Sequence, residues 1–428
     1  MRRAVIVTMD GLRRDFINEK LTPNLVRFAA QAEAFPNYST VFPSCTRVVS
    51  ASMATGCYPA RHGLQGNSVA LMQDGRLVVH DAGKPEFLEH KRRVTGHVLR
   101  VPTLAERVKD VGGAVIFSNV SPGAAYMHDP DGHGHVYHRA GSFGPGRKPV
   151  AQSDRLDVTL DVAGEHKMTD RFVDEVLFQR RPALAVLWFG EPDHIQHEAA
   201  LGSPAHLTVL AAADRHAALV MDAVEELRRK GDDVLLFVGS DHGHQTVAGI
   251  IDIDAELVAA GLKLDTASDD IVSVSNGTSS LIYVSPDHAA MIPRVHEFLK
   301  ACHWAGELFG PDDLDQVGHA ADKSGLTFAV SMRATDARNE YGISGTSLSA
   351  KPAMGKPDRV GCGQHGGLGH FEQSPFLLVS GRQFGQNTQA STVACVIDVA
   401  PTILTHLGLP ISGIDGKALQ SRAPGIDP

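Results

Sequence analysis

Asp10, Asp193, His197, Asp241 and His242 stand where chemistry collects in a parallel sheet. Each follows an apolar run that reads as a buried strand: Ala4–Thr8, Ala183–Phe189 and Val234–Val238. Ligands gather beyond the carboxyl ends of such strands. A single Asp there is an ordinary loop residue, but three runs delivering carboxylate to one edge, two with imidazole attached, make a ligand set. The Asp193-x-x-x-His197 spacing puts both side chains on one face of a helical turn. Asp241 and His242 diverge in a regular strand, yet at a strand terminus both can bend toward neighbouring metals. Mixed Asp/His ligation without thiolate suits zinc, with manganese or iron as substitutes. Two ions ~3.5–4 Å apart would clamp the attacking and leaving oxygens of a phosphoryl transfer.

A nucleophile candidate lies in YSTVFPSCTRVVSASMATGCYPARHGL. Pro43 ends an extended stretch, and the residues from Thr46 to Thr55 read as a helix stopped by Gly56. Thr46 then sits at a helix N-terminus, where exposed N–H groups and the dipole favour an oxyanion. The alternative reading makes Thr46 and Ser44 ordinary N-caps.

Positioning these groups takes a large frame, and 428 residues with 43% hydrophobic and 21% charged content supply one. At ~150 residues per domain this is two or three domains or one elaborated α/β unit. Disorder, collagen and coiled coil are excluded by composition. A net charge of −9 and a pI near 6.2 argue against a protein that grips a nucleic-acid polymer. The start Met1-Arg2-Arg3 runs into an apolar stretch too short for a signal peptide, and no stretch reaches the ~18 apolar residues of a membrane span. Five cysteines, none in C-x-x-C pairs, fit a reducing cytoplasm. The 22 histidines are an excess; His90, His166 and His288 stand in polar surroundings and read as solvated.

Further strands are expected at Ala114–Phe117 and Phe376–Val379. Helices are expected after an N-cap at Thr22-Pro23 through LVRFAAQAEAF, over Thr169–Arg180, and over Pro204–Lys230 with Gly231 as its stop. Strands alternating with helices predict an α/β fold, a doubly wound, mostly parallel sheet sandwiched by helices. Asp74-Gly75 predicts a hairpin within Ser68–Asp81. Residues 251–345, with strands at Ile271–Val274 and Ser280–Val284 and a helix from Asp287 to Ala301, predict a smaller inserted α+β cap, leaving 1–250 and 346–428 as the catalytic core. The segment Asn119–Lys148 is rich in Gly, Pro and His with little periodicity and reads as a long loop.

Together, MDGLR at Asp10, FPSCT ending at Thr46, ATGCYPARHGL, EPDHIQH, SDHGH and QHGG at His365 resemble the alkaline phosphatase superfamily. The likeness is nearest to its nucleotide pyrophosphatase/phosphodiesterase branch, related to phosphonoacetate hydrolase. The motifs keep the family's order to about residue 370, and IDVAPTILTHLGLP resembles its closing helix. The resemblance implies two zinc ions, one held by Asp193, His197 and His365, the other by Asp10, Asp241 and His242 with Thr46. It also implies that Thr46 is the nucleophile of a covalent phospho-threonine route, activated by the second ion, and that Asn67 donates to a non-bridging phosphate oxygen. GCGQHG around His365 matches G-x-G-x-x-G formally, but its flanks lack the strand and helix a dinucleotide site needs.

Sulfatases of the superfamily require Cys in C-x-P-x-R at the nucleophile position; here that position is Thr46, followed by Val48 and Ser50, with Cys45 one place early. Ligands for the third, magnesium site of the monoesterases are not evident. Phosphonoacetate hydrolases carry a lysine pair after the second core strand, and this chain has no Lys between Lys109 and Lys148. In its place stand His128, His133, His135 and His138 with Asp129 and Asp131, which could line a substrate pocket through His128, hold an extra metal, or form a solvated loop. The leading expectation is a cytoplasmic two-metal phosphodiesterase for a small phosphoester. The alternatives are a C–P bond hydrolase of a small phosphonate and a catalytically silent, metal-stabilised binding protein. No motif marks the substrate or the oligomeric state.

Overall fold

Four of the apolar runs become parallel neighbours within a ten-stranded sheet. They are β1 (Arg2–Met9), β2 (Ala114–Ser118), β3 (Leu184–Phe189) and β4 (Asp233–Gly239); β5 (Leu377–Ser380) pairs antiparallel with β4. Their order is β5-β4-β1-β3-β2. All of β2 and β3 is buried, as strands covered on both faces require. Met9 lies opposite Phe189, and Thr8 opposite Gly239. The loops carrying Asp10, Asp193 and Asp241 therefore leave the sheet within one residue of the same level. This computed structural model describes residues 1–321, 324–353, 355 and 358–421.

Helices cover both faces, each over its own apolar core. On one lie α1 (Thr46–Thr55) and α4 (Val399–Leu407); on the other lies α3 (Pro204–Arg229), while the short α2 (Asp193–Glu198) begins at the sheet edge. Helix α1 is made of small and β-branched residues, TRVVSASMAT, and buries all of them except Arg47. Gly56 ends it in the left-handed region, where glycine meets no Cβ penalty. Helix α3 is capped by Ser203 Oγ, which accepts the His206 N–H, and buries Leu210, Ala217, Met221, Val224 and Leu227.

Some local expectations give way to tertiary context. The helix after Thr22 ends at Ala29, because Glu33–Ala34 is drawn into pairing with β5; Thr22 Oγ1 bonds to Asn18 rather than capping. The helix expected to begin at Thr169 starts at Val162, capped by Asp161, and widens into a π-helix over Phe172–Arg180. Asn119–Lys148 is not a free loop. It holds a helix (Pro122–Met127) and strands at His135–Tyr137 and Phe143–Gly144, which extend the sheet beyond β2. Asp129 ties its turn by accepting N–H groups of Gly132, His133 and Gly134.

The hairpin pairs Ser68–Gln73 with Arg76–Asp81, and both Asp74 and Gly75 take positive φ, as a type I′ turn requires. A second sheet joins Gln245–Ile251, Ala334–Arg338, Ser344–Ala350 and Gly363–Gln364; a third joins Ile271–Ser275, Ser279–Val284, Ala305–Phe309 and Leu326–Met332. The third sheet packs one face on Val295, Leu299 and Trp304, and the other on Ala70 and Leu77 of the hairpin. Its turn at Asn276 reaches the core: the Asn276 amide accepts from Ser68 N–H and donates to Ser68 O, and Thr278 N–H bonds to His365 O.

Candidate active site

Thr46 is the first helical residue of α1, and Cys45 occupies the cap position without a side-chain bond. The Thr46 hydroxyl is therefore not used as a cap. It lies 3.1 Å from His242 Nε2 and 3.5 Å from Asp10 Oδ1. His242 Nε2 is also 3.4 Å from Asp10 Oδ1 and 3.1 Å from Asp241 Oδ2. Asp241 Oδ1 accepts the Gly11 N–H, whereas its buried Oδ2 has no hydrogen-bond donor. Trp188 Nε1 donates to Asp10 Oδ2. Burial, then the nearby charges of Asp241 and Asp193, push the Asp10 carboxyl well above its ordinary range.

Beside this group, three imidazoles converge on Asp193 Oδ1: His244 Nε2 at 2.7 Å, His197 Nε2 at 3.3 Å and His365 Nε2 at 3.5 Å. Burial alone would raise the Asp193 carboxyl, but His197 and His244 outweigh it and hold it well below its ordinary value. His365 Nδ1 faces Ser44 O at 2.7 Å and His242 Nδ1 faces Gly243 O at 3.2 Å, which puts the ring protons there and leaves both Nε2 atoms as lone-pair donors. The His242 and His365 rings stack at 3.7 Å. Backbone also couples the loops, because Asp193 N–H bonds to Asp10 O.

Ser44 ties the loop before Thr46 to the His365 loop. Its N–H donates to Gly366 O, its Oγ donates to Gly367 O and accepts from Gly366 N–H, and its carbonyl takes the His365 ring. Glu372 holds the far side of that loop, accepting from Gly367 N–H at 2.6 Å and Thr278 Oγ1 at 2.5 Å. Burial pushes the Glu372 carboxyl up to about 7.

Carboxylates and imidazoles thus cluster in two groups, Asp193–His197–His244–His365 and Asp10–Asp193–His242, whose donor atoms lie within 4.8 Å of one another. Among the described residues no Lys or Arg pairs with Asp10, Asp193 or Asp241. Imidazole lone pairs facing carboxylate oxygens, with no hydrogen-bond donor to the buried Asp241 Oδ2, are a set of ligand atoms that metal cations would satisfy.

The cluster opens into a cleft. A cavity of about 220 Å³ is lined by Asp10, Thr46, Arg47, Asn67, Asp193 and His365, and a larger one of about 730 Å³ continues past Arg47 and Asn67 to Lys84, Arg93 and Asn276. Asn67 Oδ1 accepts the Arg47 N–H, which fixes its amide at the mouth. The Arg47 guanidinium donates to Asn67 O and Ser121 Oγ and lies 3.4 Å from Asp81.

All seven residues expected at the metals are brought together, with Asn67 beside them. His128 is not. It is buried, packs edge-on to Trp188 at 5.2 Å, and lines neither cavity; burial holds its pKa down to about 4. His138 is likewise buried, with Nε2 against Val120 O. His90, expected in solvent, is half-buried against His80 at 4.4 Å. Sequence reasoning missed His244, the second histidine of SDHGH, and Ser44 as a brace.

A family model described as type I phosphodiesterase/nucleotide pyrophosphatase matches residues 4–337. An uncharacterized pyrophosphatase/phosphodiesterase of Schizosaccharomyces pombe is 33% identical over 64 residues, a stretch that covers 15% of this chain and only 13% of the relative's length. Among solved structures, the fold is similar to murine ectonucleotide pyrophosphatase/phosphodiesterase 5 in complex with AMP, at 15% identity, covering 97% of this chain and 98% of that one with a TM-score of 0.67. It is also similar to phosphonoacetate hydrolase from Sinorhizobium meliloti 1021 in complex with phosphonoformate, at 17% identity, 95% coverage of both chains and a TM-score of 0.65. No helix among the described residues is long and apolar enough to cross a membrane.

Proposed function

Because this chain belongs to the type I phosphodiesterase/nucleotide pyrophosphatase family, we propose that it hydrolyses a small phosphodiester or related phosphoester with Thr46 as nucleophile. The observation that carries this reading is the Thr46 hydroxyl: it starts a ten-residue helix, makes no capping bond, and faces both His242 and the cleft. Asp193, His197 and His365 would hold one ion and Asp10, Asp241 and His242 with Thr46 the other, zinc being the ion such a set favours. Bound there, the ions would supply Lewis acidity toward phosphoryl oxygens and lower the pKa of the hydroxyl.

The chain's own residues account for the rest. Thr46 Oγ displaces an alcohol from phosphorus, leaving a phospho-threonine; water then cleaves that ester, returning the hydroxyl and releasing a phosphomonoester. The first-turn N–H groups and dipole of α1 favour the charge that develops on the transferring group. Asn67, its carbonyl end held by Arg47 N–H, has its NH₂ left to donate to a non-bridging oxygen.

A second reading, cleavage of a small phosphonate, draws on basic residues in the cleft, which stand there beside Asp81, Glu86 and Asp358. Arg47, Lys84 and Arg93 line the larger cavity. They belong to a different segment from the stretch between Lys109 and Lys148, which has no lysine. The test is kcat/KM on zinc-loaded protein for a monoester, a diester and a phosphonate panel. Fastest turnover of the diester supports the first reading, phosphate release from phosphonates with slow diester turnover selects the second, and zinc-replete protein silent on all three overturns both.

A further inference from the structure

Three imidazole rings surround Asp193, although family resemblance accounts for only two of them. The ring centres of His197, His244 and His365 stand 5.0, 4.9 and 5.2 Å apart, nearly an equilateral triangle, with Asp193 Oδ1 reached by all three Nε2 atoms. His244 makes the shortest approach of the three, and its buried Nδ1 has no hydrogen-bond partner. The His244 side chain is fully buried and wedged between glycines. A Cβ on Gly11 would fall 2.7 Å from its Nε2, and one on Gly363 would fall 2.9 Å from its Nδ1. Gly11 has φ +68°, so a side chain there would be strained on backbone grounds as well. The ring therefore has little freedom to turn away.

We propose that His244 is a fourth protein donor, through Nε2, to the ion taken by Asp193, His197 and His365. This rests on the two-ion reading above. The consequence is an asymmetric pair of sites. Three imidazoles and a carboxylate fill four-coordinate zinc with protein atoms, the pattern of a closed site. The neighbouring site has Asp10, Asp241 and His242, and its fourth donor is the nucleophile Thr46 itself. His244 thus makes the Asp193 site the retentive one of the two.

The experiment loads the full chain with Co²⁺ and counts exchangeable, hyperfine-shifted imidazole N–H signals by proton NMR. Four are expected, from His197, His242, His244 and His365. His244→Gln should leave three and should weaken one of the two ions by more than the ~100-fold that loss of an outer hydrogen-bond partner costs. Its metal-free melting temperature should stay within a few degrees of the parent's. Two bound ions with only three shifted signals in the parent overturn the role of His244 alone, whatever the variant does. A chain that takes up no Co²⁺ or Zn²⁺ overturns the two-ion reading itself.

Discussion

The two halves of the ligand cluster are built from different chemistry. Around Asp193 stand three imidazoles on one carboxylate; around Thr46 stand two carboxylates, one imidazole and a hydroxyl. The first is softer and richer in nitrogen, which suits tenacious zinc binding, while the second is harder and carries more negative charge. Their supports differ as well. The Asp193 side is braced by Ser44 and Glu372 through the His365 loop, and the Asp10 side leans on the Trp188 indole and the Gly11 N–H. On the proposed reading the contrast separates holding from reacting: one group would keep an ion, and the other would present an oxygen that can leave its neighbours and attack.

The largest effect expected from this division is at Thr46. Thr46→Ala should lower kcat by ~10³-fold or more while two equivalents of metal stay bound, because only the reacting side loses an atom. Steady-state rates beside metal analysis check it; a variant as fast as the parent removes the nucleophile assignment. Trp188→Phe comes next. Loss of the indole donor should weaken the ion on the Asp10 side by ~10–100-fold and leave the Asp193 side untouched, read by chelator competition. Equal weakening of both ions would erase the proposed independence of the supports.

A smaller effect is expected in the pH dependence of stability. Glu372 has a native pKa raised from 4.5 to about 7. The native state therefore binds its proton more tightly than the unfolded chain does. The stability this contributes is complete below pH ~4.5 and is lost as pH rises through ~7, amounting to ~3 kcal/mol. Glu372→Gln keeps an acceptor for Gly367 N–H but does not titrate. The parent's melting temperature should fall relative to the variant's from pH 5 to pH 8 in metal-free protein, and parallel curves would refute the assignment.

The core strands were legible because both faces of β2 and β3 are buried, which leaves unbroken apolar runs in the sequence. Asp10, Asp193, Asp241 and His242 were legible as candidate ligands because register brings the ends of three such runs to one level. His244 was not, because a glycine turn separates it from the strand end; only the fold shows that the chain doubles back onto Asp193. The sheet extension within residues 135–144 escaped notice for a related reason. Short edge strands carry too few residues for periodicity, and their order comes from Asp129 and from pairing with β2. The histidine excess misled in part: His138, His319 and His406 are buried and bonded to backbone carbonyls, where they serve packing.

The Ser44 brace has a consequence for how the molecule acquires its activity. Its bonds to the His365 loop span 321 to 323 residues of chain. Contacts of such separation raise contact order, which slows folding. Thr46 and the last imidazole are therefore tied together only once residues 365–367 have joined the N-terminal strands, and the cluster cannot be complete before residue 367 has been synthesised. Activity is in this sense a readout of completed folding.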